Sequence, residues 1–247
     1  MKALAQLTGT EAKLFLREPV GSFFAIVFPA VLIAVLGSVL PGFTEPAAEM
    51  GGRRPIDVYL PVTLALAIAT VCMITLLGVL SAYREKGVLR RLATTPVSPA
   101  ALLGAQLVVN LAALLAGSLL AYGTAVVLFH VPAPGNLAGT VLAFGLGSAA
   151  MAAVALLIAA VAPGPRASSG LGSLVYFPMM FAAGVWTPGP TMPAGVRRFA
   201  DFTPLGAASQ ALQDAWAGGW PRPLHLIVMA ALTAALGAVA VRTFRWE

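Results

Sequence analysis

The sequence alternates between long apolar runs and short polar connections. A helix that crosses the hydrocarbon core of a bilayer needs about 20 predominantly apolar residues. Runs of this kind, each free of Asp, Glu, Lys and Arg, lie at 20–40, 58–82, 100–129, 137–162, 170–187 and 224–241. The pattern therefore predicts an all-α polytopic membrane protein, with six transmembrane helices in a single domain that spans 1–247. Pro29 is expected to kink the first of these helices.

The charged N-terminal segment is too polar to cross the membrane. As a helix, residues 2–18 would place an incomplete apolar stripe on one side, with basic residues available for lipid phosphates. We therefore predict an interfacial helix at 2–18, with a loosely ordered basic tail as the alternative. The stripe consists of Leu4, Leu7, Ala12, Phe15 and Leu16, and the basic residues are Lys2, Lys13 and Arg17.

The segment between the fifth and sixth apolar runs mixes aromatic residues with scattered charges. This composition is typical of the boundary between membrane and water. It predicts two short helices in the outer leaflet, at 196–202 and 205–217, and an ordinary packed loop is the alternative.

Small residues in the fourth run indicate a contact between helices. Gly145, Ala149 and Ala153 repeat at every fourth position. This spacing lets two helices approach closely.

The composition excludes a water-facing globular protein. Of the residues, 59% are hydrophobic and 10% are charged, whereas soluble domains carry about 25% charged residues. The single cysteine, Cys72, excludes an internal disulfide and a metal site built from several cysteines. The net charge of +6 comes from short basic islands rather than from one clustered surface, so nucleic acid is not expected as a partner.

The distribution of charge predicts the orientation of the chain. With a cytoplasmic N-terminus and six crossings, ten basic and four acidic residues lie inside, and five of each lie outside. Cytoplasmic loops carry an excess of Lys and Arg. Both termini are therefore expected in the cytoplasm.

The densest charge cluster follows the second run. Taken as a helix, Arg84–Thr95 places Val88, Leu89 and Leu92 on one face, with Lys86 and Arg90 opposite. We predict an amphipathic cytoplasmic helix at 84–95, and a basic loop that only fixes topology is the alternative. Pro96 and Pro99 stop this helix.

Two stretches resemble one transporter family. REKGVLRRLATTPVSPAALLGAQLV is similar to the signature that follows the second span in type-2 ATP-binding-cassette exporter permeases, the bacterial drug- and lipid-export subunits. FPMMFAAGVWTPGPTMPAGVRRFADFTPLGAASQAL resembles the end of that family's fifth span and the segment after it. This chain departs from the family pattern at Ala183, often Ser, and at Thr203, commonly Asn.

The resemblance implies a docking element and a partner. In such permeases the loop after the second span is a coupling helix that docks on a separate ATPase subunit, which binds ATP and Mg. It also implies two permease copies, most simply a homodimer in membrane lipid. By this resemblance the docking residues are Arg84, Glu85, Lys86, Gly87, Leu89, Arg90, Arg91 and Leu92.

The resemblance also implies a substrate path. The second and fifth spans of the family line a central cavity that moves amphipathic or hydrophobic substrates, drug or lipid-like, out of the cell. Pro178 is expected to bend the fifth span. The path residues are then Thr70, Met73, Ile74, Leu77, Tyr176, Phe177, Met180 and Phe181.

Other classes of membrane protein fit the sequence less well. The chain has no phosphate-binding loop, so we expect no ATPase activity or cofactor of its own. A membrane-embedded enzyme needs a nucleophile with a base, or metal ligands, and the two histidines, His130 and His225, are interpreted as interfacial residues. The six runs hold no ionisable group of the kind that ion-coupled carriers use. A membrane enzyme or a channel without an ATPase partner remains the alternative function.

Overall fold

The computed structural model describes residues 2–88, 99–187 and 191–243. Within these ranges the chain forms nine α-helices and no strand, and the all-α prediction is confirmed. The helices are α1 (Lys2–Arg17), α2 (Pro19–Val39), α3 (Pro55–Glu85), α4 (Pro99–Phe129), α5 (Leu137–Val161), α6 (Pro165–Ala182), α7 (Ala194–Ala200), α8 (Pro204–Trp216) and α9 (Pro223–Thr243), and Ala48–Met50 forms a 3-10 turn.

Six helices, α2 to α6 and α9, run between two ends of the bundle. At one end, here called the Arg84 end, α3 is joined to α5 by Arg84 and to α6 by Ser168. At the other, here called the Trp216 end, Arg54 contacts the end of α4, Tyr59 bonds the loop after α6, and Trp216 bonds the loop before α5. Loops thus alternate between the two ends, as successive crossings require.

Five of these helices are long and apolar enough to cross a membrane: α2, α3, α4, α5 and α9. The fifth predicted run, 170–187, forms α6, which begins earlier than predicted, at Pro165, and ends at Ala182. Its first turn therefore includes Arg166, which makes it more polar than the other five. The number of membrane crossings stays a prediction.

The central element of the bundle is α3. In its most apolar stretch 83% of the residues are buried, against 28% for α2 and 17% for α9. Its residues are apolar on all sides, and a helix of that kind is buried on all sides. On one side α4 packs against α1 and α2, and on the other α5 packs against α8 and α9, so α3 joins two groups of helices.

The helix α2 contains a π turn directly before Pro29, and the kink expected there stays a prediction. Phe23–Val27 is π-helical, with the amide of Phe28 donating to the carbonyl of Phe23. Pro29 follows directly and cannot donate to Ala25 O, the acceptor four residues before it. A Cβ at Gly117 of α4 would overlap that same oxygen. Glycine is therefore required where α4 crosses the irregular turn.

The close contact of α5 with a neighbouring helix is made at Gly147, two residues from the predicted contact at Gly145. A Cβ at Gly145 would meet nothing within 4 Å, so the prediction of a packed contact at Gly145 is wrong. A Cβ at Gly147 would lie 2.7 Å from Cβ of Ala208 in α8. The spans are rich in Ala and Gly on every face, so spacing alone did not identify the packed side.

Of the four helical segments predicted outside the apolar runs, three are helical here, and the fourth, 84–95, lies partly outside the described residues. The N-terminal one is α1, rather than a loosely ordered tail, and the other two are α7 and α8. The side chain of Thr203 caps α8 by accepting from the amide of Gly206. Most of α8 is buried against α3, α5 and α9, so it forms part of the core. The position of these helices relative to a membrane stays a prediction.

Candidate functional site

A groove of about 410 Å³, here called the α3/α6 groove, lies between the second half of α3 and α6. It begins near Glu85 at the Arg84 end and extends to Tyr176. Ile74 and Phe177 are exposed along its rim, so one long side of the groove is open. It is lined by Met73, Ile74, Leu77, Gly78, Ser81, Ala82, Glu85, Pro165, Ser169, Gly172, Ser173, Tyr176 and Phe177.

The structure brings most of the predicted path residues together in this groove. Five of the eight line it: Met73, Ile74, Leu77, Tyr176 and Phe177. Thr70 is buried directly beyond its end, and Met180 and Phe181 lie further along α6. The ring of Phe181 lies 6.2 Å from that of Trp186.

Hydrogen bonds join α3 to α6 at two levels along the α3/α6 groove. At the inner end the hydroxyl of Thr70 donates to Leu66 O and lies 3.0 Å from the hydroxyl of Tyr176, which therefore donates to it. Towards the Arg84 end, the hydroxyls of Ser81 and Ser168 lie 2.6 Å apart and both side chains are buried. These two pairs link α3 directly to α6.

Pro178 lies inside α6, and the helix continues through it to Ala182. Close contact between α6 and α3 comes instead at Gly172, where a Cβ would lie 2.7 Å from Leu77 Cδ2. The expectation of a bend at Pro178 stays a prediction.

The predicted docking residues fall partly at the end of α3 itself. Arg84 and Glu85 are its last two residues, and Lys86 and Gly87 form a turn in which Gly87 has a φ of 62°. A separate helix therefore does not begin at Arg84, because a left-handed glycine ends α3 after it. Pro99 is the first residue of α4. Leu89, Arg90, Arg91, Leu92 and Pro96 lie outside the described residues.

Arg84 holds the bundle together, whereas the two residues after it face outward. The Nη1 atom of Arg84 donates to Ala159 O at 2.6 Å and to Ala162 O at 2.8 Å. A cation at these carbonyls satisfies the open end of α5 and complements its dipole. Glu85 and Lys86 are exposed. The charges available to a partner at this turn are therefore those of Glu85 and Lys86.

A buried polar network, missed by sequence reasoning, joins α1 to both α3 and α4. Glu11 is 7% exposed, and its Oε2 accepts from the hydroxyl of Tyr83 and from the Nε2 of Gln106. Asn110, one turn further along α4, donates to Gln106 O, and its Oδ1 lies 2.6 Å from the hydroxyl of Thr75. The sequence signal for this network is a pair of amide side chains, Gln106 and Asn110, four residues apart in an apolar run.

The network contacts the chain on both sides of the segment between α3 and α4. Tyr83 lies two residues before the end of α3, and Gln106 lies in the second turn of α4. On α1, Glu11 is buried and Leu7, Thr8, Ala12 and Phe15 are half-buried, whereas Leu16 is 67% exposed. The stripe expected on α1 is therefore centred on a carboxylate that binds the bundle.

Neither histidine forms a catalytic or metal centre with the other. His225 is fully buried, and its Nε2 lies 2.9 Å from Oδ1 of Asp201; its position relative to a membrane interface stays a prediction. His130 ends α4 with a φ of 53°. Across the described ranges, no group of three His, Cys, Asp or Glu side chains is placed to hold a metal ion.

Comparison with known proteins gives one family. The family model described as "ABC-2 type transporter" matches residues 2–216. The matched range includes α1 to α8 and therefore both helices of the α3/α6 groove. A search of curated proteins found no match.

Proposed function

Because the chain belongs to the ABC-2 type transporter family, we propose that it is the transmembrane subunit of an ATP-binding-cassette exporter in the bacterial inner membrane. It moves an amphipathic or hydrophobic substrate, drug or lipid-like, outward. The energy comes from ATP and Mg bound by a separate ATPase subunit. The observation that carries this proposal is the α3/α6 groove, which leads from the exposed turn at Glu85 into the body of the bundle.

The lining of the groove supports an amphipathic substrate. Met73, Ile74 and Phe177 supply apolar surface, and the flexible thioether of a methionine adapts to varied shapes. Hydroxyls of Ser169 and Ser173 lie in the same lining. A molecule with an apolar body and a few polar groups matches such a wall.

The open side of the groove supports a second permease copy. The central helix α3 is buried except for a stripe that includes Ile74, Gly78 and Glu85, and that stripe lies in the groove. A homodimer with these stripes facing each other would enclose a path between two grooves. Two-fold dimers are the commonest oligomers of identical chains.

The contacts of Arg84 support a mechanism for coupling. An ATPase that binds at Glu85 and Lys86 pushes on the last turn of α3. Arg84 transmits that push to the end of α5 through two hydrogen bonds, and Ser81 transmits it to α6 through Ser168. Closure of the ATPase pair on ATP would thus change the separation of α3 and α6.

The test is to co-express the chain with the ATPase encoded beside it and to measure export and copurification. We expect the double variant Glu85→Ala with Lys86→Glu to lose ATPase binding and export. Its matched control is Glu49→Ala, an exposed carboxylate at the Trp216 end. Equal binding and export by the double variant and the control would contradict docking at this turn.

A further inference from the structure

A second groove lies on the other side of α3, between α4 and α5. Both helices pack against α3, yet along their described lengths they hardly touch each other. The gap consists of two cavities of about 560 and 220 Å³, which share Leu111 and Gly145 and therefore form one channel. We call it the α4/α5 groove.

The groove exists because α5 presents small residues to α4. Gly145 is exposed, and a Cβ there would meet nothing within 4 Å. Ala149 lines the same gap one turn further along. On α4 the lining extends from Leu107 to Tyr122, which at 1.5 Å per residue is about 22 Å. One leaflet of a bilayer core is about 15 Å thick, so the groove is long enough for an extended acyl chain.

The walls of the groove are apolar and exposed. Leu111, Leu115 and Leu119 of α4 and Val141 of α5 are between 45% and 68% exposed. At the Trp216 end, the α4/α5 groove is bordered by the loop residues Ala133 and Pro134. In a bilayer, a gap of this kind is filled by hydrocarbon.

Two polar atoms in the groove wall require a partner that hydrocarbon does not supply. The Nε1 of Trp216 and the hydroxyl of Ser118 are buried, and neither has a hydrogen-bond partner within the described ranges. An indole N–H is only a donor, and buried donors are nearly always paired. The ring of Trp216 lies edge-on to that of Tyr122, with centroids 5.7 Å apart.

We propose that the α4/α5 groove binds one acyl chain of an ester-linked glycerolipid, whose ester carbonyl accepts from Trp216 Nε1 when the indole turns to bring that covered atom to the groove. Trp216 lies at the loop end of the groove, since its own carbonyl accepts from the amide of Gly135 before α5. Tryptophan is enriched at the depth where lipid chains meet their polar groups. A partner helix is the weaker occupant, because its backbone carbonyls are already bonded within the helix.

This lipid site is separate from the proposed transport path. The buried helix α3 lies between the two grooves, and they share no lining residue. A lipid bound between α4 and α5 would fill the space where these two helices do not pack. Its binding requires no ATPase, so the purified chain alone can test it.

The first experiment maps a lipid probe on the purified full-length chain. The protein is reconstituted with phosphatidylethanolamine that carries a diazirine in its acyl chain, illuminated and analysed by peptide mass spectrometry. We expect label to concentrate on residues 111–119 and 137–145 rather than on the exposed Ile227 and Val241 of α9. Uniform labelling of all lipid-exposed helices would overturn the proposal.

Matched glycine variants test whether the groove holds the probe. Gly145→Leu fills the gap, whereas Gly237→Leu adds the same side chain to α9 at a site that also meets nothing within 4 Å. We expect the excess label on α4 and α5 to disappear in the first variant and to remain in the second. Val141→Phe serves as a second filling variant. Unchanged labelling in a folded filling variant would overturn the proposal.

The hydrogen bond is tested by competition between ester-linked and ether-linked lipids of the same chain length. In the unmodified chain the ester-linked lipid should displace the probe about two- to tenfold better, the factor expected for one hydrogen bond. Trp216→Phe keeps the ring and removes the donor, so this preference should vanish. An ester preference that survives in this variant, or none in the unmodified chain, would contradict the role of Trp216.

Discussion

The two grooves on either side of α3 differ in nearly every respect that decides what they can hold. The α3/α6 groove carries serine hydroxyls, a tyrosine and the exposed carboxylate of Glu85, and it opens at the Arg84 end. The α4/α5 groove is lined mostly by apolar side chains and by no charged residue, and within the described ranges the buried donors of Ser118 and Trp216 on its wall have no partner. One central helix thus separates an amphipathic surface from an apolar one.

The difference follows from how the flanking helices are held. Direct hydrogen bonds at Ser81 and Tyr176 join α6 to α3, and a push on α3 reaches α6 through them. Within the described residues no comparable polar bond joins α4 to α5, and the two helices are linked mainly through α3. A groove bridged by polar contacts suits movement coupled to a partner, whereas an unbridged gap suits a bound lipid.

The largest effect is expected from adding bulk to the packed face of α5. Gly147→Leu would collide with Ala208 and overpack the contact between α5 and α8, at a cost of about 1–3 kcal/mol. Gly145→Leu, two residues away, projects into the α4/α5 groove and should leave stability nearly unchanged. Thermal unfolding of the two purified variants checks this. Equal destabilisation would show that Gly145 does not face an open groove.

The next effect concerns the link that joins α4 to α3 at the Arg84 end. Glu11→Ala removes the acceptor of both Tyr83 and Gln106, and unpaired buried groups cost about 1–3 kcal/mol. We expect a lower unfolding temperature and reduced export. The reason is that α1 no longer binds Tyr83 near the end of α3 and Gln106 near the start of α4, on either side of the connection where we propose that the ATPase docks. Glu49→Ala is the control. An unfolding temperature equal to that of the control would mean that the network adds nothing.

The smallest effect is expected inside the α3/α6 groove. Tyr176→Phe removes one hydrogen bond to Thr70, which is worth about 0.5–1.5 kcal/mol. Export should slow while lipid labelling in the α4/α5 groove is unchanged. Measuring both in the same preparation distinguishes the grooves. A loss of lipid labelling without a change in export would reverse their proposed roles.

Sequence reasoning was most accurate where a single physical constraint dominates. The run predicted at 100–129 is α4, Pro99–Phe129, and the run predicted at 137–162 is α5, Leu137–Val161. Charged residues are excluded from a bilayer core, so uncharged runs and their polar flanks fix helix limits closely. Five predicted path residues lie together in the α3/α6 groove, because the family resemblance assigned them to two helices that face each other.

The remaining features depend on which face of a helix is packed. Alanine and glycine occur all around these spans, so the sequence gives little contrast between Gly145, which faces a gap, and Gly147, which touches α8. The burial of Glu11 depends on Tyr83 and Gln106, which come 72 and 95 residues later in the chain. Likewise, the unpaired Nε1 of Trp216 is visible only once its neighbours are placed.

The most direct test of the central claim compares the two grooves in one transport cycle. In a Cys72→Ala background, Ile74→Cys reports on the α3/α6 groove and Val141→Cys on the α4/α5 groove. Each variant, assembled with its ATPase, is labelled with a small maleimide before and after trapping with ATP and vanadate. The account predicts that the labelling rate at position 74 changes on trapping while that at position 141 stays constant. A constant rate at position 74 together with a changed rate at position 141 would contradict it.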